Sequence, residues 1–403
     1  MIPGRPRREL PVLNGMAARV EATAGFAAAP PPRRRVPASD TPRIALVTLG
    51  CDKNTVDSER MLAWLAGAGA RVAEDAAAAD VVVVNTCGFI AAAKEESVDA
   101  ILDALRLKET GRVRAVVAVG CMVQRYRDQL VRELPEVDLF LGLTDAHRLL
   151  PELRRRGLLP EAPVPAMERP MRLLSTRTHT SHLKVSEGCD HGCAFCAIPL
   201  MRGKHRSVPL EQLVREAQEL EARGVVELNL ISQDTTWYGR DLVRRGDAAI
   251  ERRADAATRR GGDGFFVGKL FSGMVGTATA TATARGRGGY PSPHPSPSPS
   301  PIPTPPHGLL PDLLQALLRE TSIPWFRLFY MYPSGIQRAL VELVAREPRI
   351  LPYLDMPIQH GSDRMLERMR RPERRATIRE RVRWLREAIP DLALRTTVMV
   401  GFP

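Results

Sequence analysis

Four short apolar runs constrain the fold of the first half of this chain. They are IALVTL (44–49), VVVVN (81–85), AVVAV (115–119) and LFLGL (139–143). Stretches with helical spacing lie between and after them, at 56–68, 91–109, 122–134 and on to residue 155. The runs are too short for buried helices, and they lack the alternation of a strand with one wet face. They therefore read as strands covered on both sides, the pattern of a doubly wound parallel sheet. Residues 43–155 are expected to form this α/β domain.

A second strand–helix series starts at Thr180. HLKVS (182–186), ELNLIS (227–232), RLFYMY (327–332), a strand near 353–358 and LRTTVMV (394–400) read as its strands. Helices are expected at 209–223, 309–321 and 335–346, with two more in 362–388; Pro209 suits a first helical turn. Repeated units of this length predict a partial or complete (β/α) barrel over 180–403, with chemistry at the carboxyl ends of its strands. Residues 156–179 read as a linker, broken by Pro160, Pro163, Pro165 and Pro170.

Two stretches stand outside this plan. Residues 1–42 are rich in Arg, Pro and Ala and are expected to be a disordered leader. An organelle transit peptide is an alternative, because the stretch is Arg-rich and acid-poor. Residues 241–308 interrupt the barrel with TATATATARGRGG and PSPHPSPSPSPIPTPP. Such composition cannot pack a core, and a disordered low-complexity insertion is expected there. The chain stops at Gly401-Phe402-Pro403, directly after a strand, which leads to the expectation of a truncated sequence and an incomplete barrel.

The six cysteines fall into two groups of three. None is left over for a structural disulfide, which suits a reducing compartment and metal ligation. Cys189, Cys193 and Cys196 form a C-x3-C-x2-C run in the loop after the first barrel strand. Three thiolates can hold three irons of a 4Fe–4S cluster and leave the fourth open to a small molecule. A zinc knuckle is the alternative, since His191 lies inside the run and His205 close by. Cys51, Cys87 and Cys121 each follow a strand of the first sheet, where open α/β sheets bind ligands. A lone cysteine there is usually a small buried hydrophobe. Three at matching positions point to a second three-thiolate site.

Net charge is +12. Residues 1–40 hold seven Arg against three acids, and residues 241–308 hold nine Lys/Arg against five. The excess lies mostly in the two low-complexity stretches, so the high charge is weak support for a nucleic-acid partner. No stretch approaches about 18 uncharged apolar residues, and no membrane span is expected.

Several motifs resemble the methylthiotransferase family of radical S-adenosylmethionine enzymes, over about 43–240 and 309–403. They are LGCDKNTVDSE (49–59), NTCGFI (85–90), VGCMVQR (119–125), SEGCDHGCAFCAIPLMRG (186–203), LISQDTTWYGRDL (230–242) and MPIQHGSDRMLERMRRP (356–372). In detail they look like the branch that modifies small-subunit ribosomal protein twelve at the β-carbon of an aspartate. The sister branch modifies tRNA adenosine. The resemblance implies a flavodoxin-like domain, a partial radical-SAM barrel and a C-terminal TRAM domain, the last expected to be missing from a truncated sequence. It implies two 4Fe–4S clusters, one on Cys189, Cys193 and Cys196 and a sulfur-donating one on Cys51, Cys87 and Cys121. Phe195 would pack near the adenine of S-adenosylmethionine, with Gln233, Gln359 and Arg395 as polar contacts. It also implies cleavage of S-adenosylmethionine to a radical, hydrogen abstraction from the aspartate and transfer of a methylated sulfur. An external electron donor and a cytoplasmic location follow, with no direct nucleic-acid binding in the absence of the C-terminal domain. A tRNA-modifying enzyme, a non-enzymatic iron–sulfur sensor and a zinc-stabilised protein are the competing readings.

Overall fold

The computed structural model describes residues 41–111, 113–161, 171–175, 177–242 and 309–403, together with two short strands near the N-terminus. Those two, β1 (Arg7–Leu10) and β2 (Ala18–Glu21), pair antiparallel. No element was expected within the leader, so this pair differs from the sequence reading. The remaining expectations for the leader, the core of the linker and the insertion fall outside the described residues.

The first sheet contains β3 (Arg43–Thr48), β4 (Arg71–Val72), β5 (Val81–Thr86), β6 (Ala115–Gly120) and β7 (Leu139–Leu141). All are parallel, in the order β4-β3-β5-β6-β7. Taken along the chain this is 2-1-3-4-5, the flavodoxin order. The all-valine run explains its double covering. Val82 and Val84 face a cluster with Val98, Ile101 and Leu105 of α2 (Ala91–Glu109) and Leu130 of α3 (Cys121–Glu133). Val81 and Val83 face Met61 and Leu65 of α1 (Asp52–Gly67) and Leu149 and Leu153 of α4 (Leu149–Arg155). Two helices thus cover each face, and every residue of β5 and β6 is buried.

The two-residue strand β4 was missed by sequence pattern, because an exposed edge of this length carries no run. Its presence changes the count. Cys51, Cys87 and Cys121 follow the first, third and fourth strands of the sheet. The switch point of a 2-1-3-4-5 sheet lies between its first and third strands. Cys51 and Cys87 flank that point.

The second sheet is also parallel, in the order β14-β13-β12-β11-β8. Its strands are β8 (Thr180–Lys184), β11 (Glu227–Ile231), β12 (Trp325–Leu328), β13 (Ile350–Asp355) and β14 (Ala393–Arg395). Each strand sits beside its predecessor, as in a barrel wall laid down unit by unit. Between β8 and β11, the small antiparallel pair β9 (Ser186–Glu187) and β10 (Arg206–Ser207) brackets the cysteine loop, which carries α5 (Ile198–Arg202). Behind the sheet lie α6 (Leu210–Ala222), α7 (Leu309–Glu320), α8 (Arg338–Arg346) and α10 (Arg375–Ala388), while the short α9 (Asp363–Arg368) leads to Met369, which accepts from the cysteine loop. The apolar faces of α6, α7, α8 and α10 share one core with Leu183, Leu228, Leu230, Phe326 and Leu354.

The first barrel strand lies two residues earlier than expected, at Thr180–Lys184, and three later strands also begin or end elsewhere. The third strand ends at Leu328, because Tyr330 takes φ +57°, which no strand can continue through. The fourth begins at Ile350, so that Met356 to Gln359 form a loop over the sheet rather than a strand. The fifth ends at Arg395, and beyond it only Val398 bridges to Gln359. Residues 171–175 are not a loose connector. Arg172 is fully buried, with ion pairs to Glu59 of α1 at 3.0 Å and Glu216 of α6 at 2.8 Å.

Candidate functional site: two thiol triads around one cavity

The carboxyl ends of both parallel sheets border a cavity of about 730 Å³. Cys51, Cys87 and Cys121 line it from the first sheet, and Cys189 and Cys196 from the second. Cys193 stands behind this wall, 3.5 Å from the hydroxyl of Tyr332, which lines the cavity. All six thiols are free.

Backbone geometry explains how the first triad is placed. Gly50 has φ +92°, and a Cβ on it would lie 2.9 Å from the Cys87 sulfur. Only glycine lets the first loop come this close to the second. Gly120 has φ +101°, and its Cβ would fall 2.6 Å from the Thr86 carbonyl oxygen. Thr86 donates to the Val119 carbonyl at 2.6 Å and Asn85 donates to the Asn54 carbonyl at 3.1 Å, which ties the strand ends together. The Asn54 side chain, fully buried, donates to the carbonyls of Leu49 at 2.7 Å and Thr86 at 3.2 Å. Its oxygen lies 3.6 Å from the Cys121 sulfur.

The second triad sits in a loop pinned on several sides. Cys189 donates its N–H to the Gly203 carbonyl at 3.0 Å, and Ala194 donates to the Met369 carbonyl at 3.0 Å. Arg371, buried and paired with Glu373 at 3.1 Å, reaches the Cys193 sulfur at 3.9 Å. His191 bonds Asp234 at 2.7 Å and stacks on Tyr332, the ring centroids 4.1 Å apart. The His205 ring bonds the Ser207 hydroxyl at 3.1 Å. Both histidine rings therefore have partners of their own. Among the described residues, no three His, Cys, Asp or Glu side chains meet as the ligands of a single metal ion would. Thiolates that each hold a different iron of a cluster are not required to meet at one point.

Burial dominates the electrostatics. It pushes the thiols of Cys121 and Cys189 up to about 12, and those of Cys87 and Cys196 also upward. A buried thiol of this kind stays protonated until a metal takes its proton's place. The cations lining the cavity are Lys53 and Arg202. Lys53 lies over the Tyr330 ring and 3.3 Å from Asp52; burial depresses its ammonium. Arg202 belongs to a buried network with Asp57, Lys184 and Glu187.

Of the non-cysteine residues singled out by sequence, Phe195, Gln233 and Gln359 line the cavity. The Gln233 amide nitrogen approaches Glu187 at 3.5 Å, while its buried oxygen has no partner. Gln359 has φ +68°. It and Tyr330 are two of three described non-glycine residues with positive φ, and both face this cavity. Such strain is a recurrent mark of functional walls. Arg395 is not part of the lining. Its side chain is 61% exposed on β14 and leans towards Asp355 at 3.8 Å. Lys53, Asn54, Arg202, Tyr330 and Tyr332 were not singled out from sequence. Only the polar Asn54 and Ser58 on the inner turns of α1 gave a visible hint.

The donor set fits iron–sulfur clusters: two triads of free thiols, each followed or preceded by close-packed backbone, around one cavity with an unpartnered carbonyl oxygen.

Comparison with known proteins agrees with this geometry. Residues 43–142 match the family described as Uncharacterized protein family UPF0004, and residues 183–277 match the Radical SAM superfamily. A protein of Anaeromyxobacter sp. (strain Fw109-5), named ribosomal protein uS12 methylthiotransferase RimO, is 41% identical over 367 residues, 90% of this chain and 65% of that one. A protein of the same name from Desulforudis audaxviator (strain MP104C) is 39% identical over 377 residues, 91% of this chain and 68% of that one. The chain thus spans about two-thirds of the length of these curated relatives. Among solved structures, the cobalamin-dependent S-adenosylmethionine radical enzyme OxsB aligns with TM-score 0.51 at 10% identity, over 89% of this chain and 49% of that one. This last likeness concerns the fold alone.

Proposed function

The chain belongs to the ribosomal protein uS12 methylthiotransferase family, and from that premise we propose that it is a radical S-adenosylmethionine enzyme adding a methylthio group to the β-carbon of an aspartate in uS12. The observation that carries the reading is the meeting of the two thiol triads at a single cavity. A reaction that must bring a hydrogen-abstracting centre and a sulfur donor to one carbon needs such a meeting. A ribosomal protein substrate suits a cytoplasmic enzyme, and an external donor would supply the electron. No helix among the described residues is long and apolar enough to cross a membrane.

When bound, two 4Fe–4S clusters and S-adenosylmethionine supply the one-electron and sulfur-transfer chemistry. Cys189, Cys193 and Cys196 would hold three irons of one cluster and leave the fourth open. Cys51, Cys87 and Cys121 would hold the other. Phe195 and Ile198 give the cavity an apolar wall that suits an adenine face and excludes water. The unpartnered oxygen of Gln233 would accept a donor from the bound cofactor, and Gln359 lines the same cavity. Lys53, 3.3 Å from Asp52, lines the cavity, where its ammonium would suit a substrate carboxylate.

Expression in cells lacking their own uS12 methylthiotransferase tests the assignment. Mass spectrometry should find one methylthio group on a uS12 aspartate. Methylthioadenosine in tRNA, with the aspartate unchanged, would overturn it. Anaerobically reconstituted protein should hold about eight irons, and replacing Cys51, Cys87 and Cys121 by Ala should remove about four.

A further inference from the structure

The cavity is built from both halves of the chain, and one arginine of the barrel reaches into the other half's thiol site. Arg202 ends α5, thirteen residues after Cys189 in the numbering, yet its side chain is only 1% exposed. One terminal nitrogen bonds Asp57 at 3.1 Å and Glu187 at 2.8 Å. The other bonds the side-chain oxygen of Asn54 at 2.5 Å. That same oxygen is the one 3.6 Å from the Cys121 sulfur. Lys184 completes the cluster with contacts to Asp57 and Glu187.

Two carboxylates here face two cations, so the network is balanced before any metal is considered. Its arrangement is directional. Both carboxylates lie at one edge of the guanidinium, and the other edge points through Asn54 at the first thiol triad. A buried guanidinium cannot lose its proton, and the carboxylates around Arg202 hold it still more firmly charged. Arg202 lines the same cavity as Cys51, Cys87 and Cys121. Charge fixed in a poorly screened site acts strongly on any group nearby. Thiolates crowded around a cluster need such compensation, since hydrogen bonds and net charge near the sulfurs set its potential.

We propose that Arg202 is a positioning residue of the Cys51–Cys87–Cys121 site, acting through Asn54, and that it raises the reduction potential of a cluster held there. This rests on the reading of those three cysteines as a second cluster site. Its consequence is that the N-terminal domain does not hold its cluster in the same state alone as it does against the barrel. Reduction adds a negative charge, and a nearby fixed positive charge favours it.

The test uses the full chain with Cys189→Ala, Cys193→Ala and Cys196→Ala, so that iron reports on the first triad only. Iron content and an EPR-monitored redox titration are measured. Arg202→Met should shift the midpoint to more negative values, by about tenfold in the reduction equilibrium or about 59 mV for one electron. Asp57→Asn leaves Arg202 in place and removes a neutralising carboxylate, so it should shift the midpoint the other way. A purely structural role would lower melting temperature without opposite shifts. Unmoved midpoints in both variants, with iron bound, overturn the role of Arg202 but leave the second site standing. If Arg202→Met does not fold, an unmoved or lowered midpoint in Asp57→Asn is sufficient to overturn it. Absence of iron from the parent triple variant overturns the second-site reading, and the role of Arg202 with it.

Discussion

Gly120 carries a constraint that its neighbour Cys121 makes easy to overlook. The cysteine is visible in the sequence as a thiol after an apolar run. The glycine is needed because a side chain there would strike the Thr86 carbonyl and the Asn85 side chain, at a backbone angle that L-residues avoid. Gly120→Ala should cost about 1–3 kcal/mol of stability and release iron from the first triad while the second keeps its own. Urea denaturation and iron analysis check both halves. Two histidines supply a pH dependence. Burial pushes His182 and His205 below their ordinary 6.5. The unfolded chain then binds protons that the folded chain refuses, so stability is full above that value and falls as pH drops through it. Replacing both by Gln should flatten the loss of melting temperature between about pH 7.5 and 5.5. A slope equal to that of the parent would count against buried neutral rings. At this scale the sequence displayed ligands better than their supports. Thiols announce themselves by spacing, and Phe195, Gln233 and Gln359 by family resemblance. Asn54 and Arg202 are ordinary helix residues until folding brings residues 148 positions apart into contact. Arg395 shows the opposite case, since the strand ends there and leaves its side chain 61% exposed beside Asp355, outside the cavity lining.

Elements followed the apolar runs closely wherever a strand is covered on both faces. β5 and β6 could hardly be misread, because every residue is apolar or packed at the strand end. Reading failed where the backbone, not the pattern, decides. RLFYMY looks like six residues of strand, but the left-handed Tyr330 stops it and turns Tyr330 and Tyr332 towards the cavity. The stretch 171–175 looked like the end of a linker because no period is visible in five residues. It is a seam. Arg172 joins Glu59 of one half to Glu216 of the other, and Glu59 also accepts from the N–H of Ser175 at 2.9 Å. Removing the arginine leaves the buried Glu59 without its counter-charge, while Glu216 keeps Arg60 at 3.0 Å. Arg172→Met should therefore cost about 3–5 kcal/mol, and adding Glu59→Gln should recover part of it. Denaturant titration of the single and double variants measures the difference. A double variant no more stable than the single would mean that the cost is lost packing and not stranded charge.

For the molecule as a whole, the described residues bring the carboxyl ends of two parallel sheets to one cavity. Residues 243–308 fall outside the described residues, but the points where the chain leaves and rejoins the barrel do not. Tyr238, just before the departure, is 3% exposed and its hydroxyl donates to the Val208 carbonyl at 3.0 Å. Leu310, just after the return, is 4% exposed. Both belong to the same hydrophobic core, with Leu313, Leu314 and Leu317 of α7. Each burial of such a side chain stabilises by about 1.5–3 kcal/mol. Both ends are thus anchored by contacts that do not involve the insertion. Loop closure costs grow only slowly with length, so shortening the connection should not strain the fold. Replacing 243–307 by a short Gly-Ser segment should leave melting temperature within a few degrees and iron content of both triads unchanged. If the insertion instead packs on the barrel, its removal would lower the melting temperature sharply or strip iron from the cysteine loop. Differential scanning calorimetry and iron analysis of the shortened chain distinguish these outcomes.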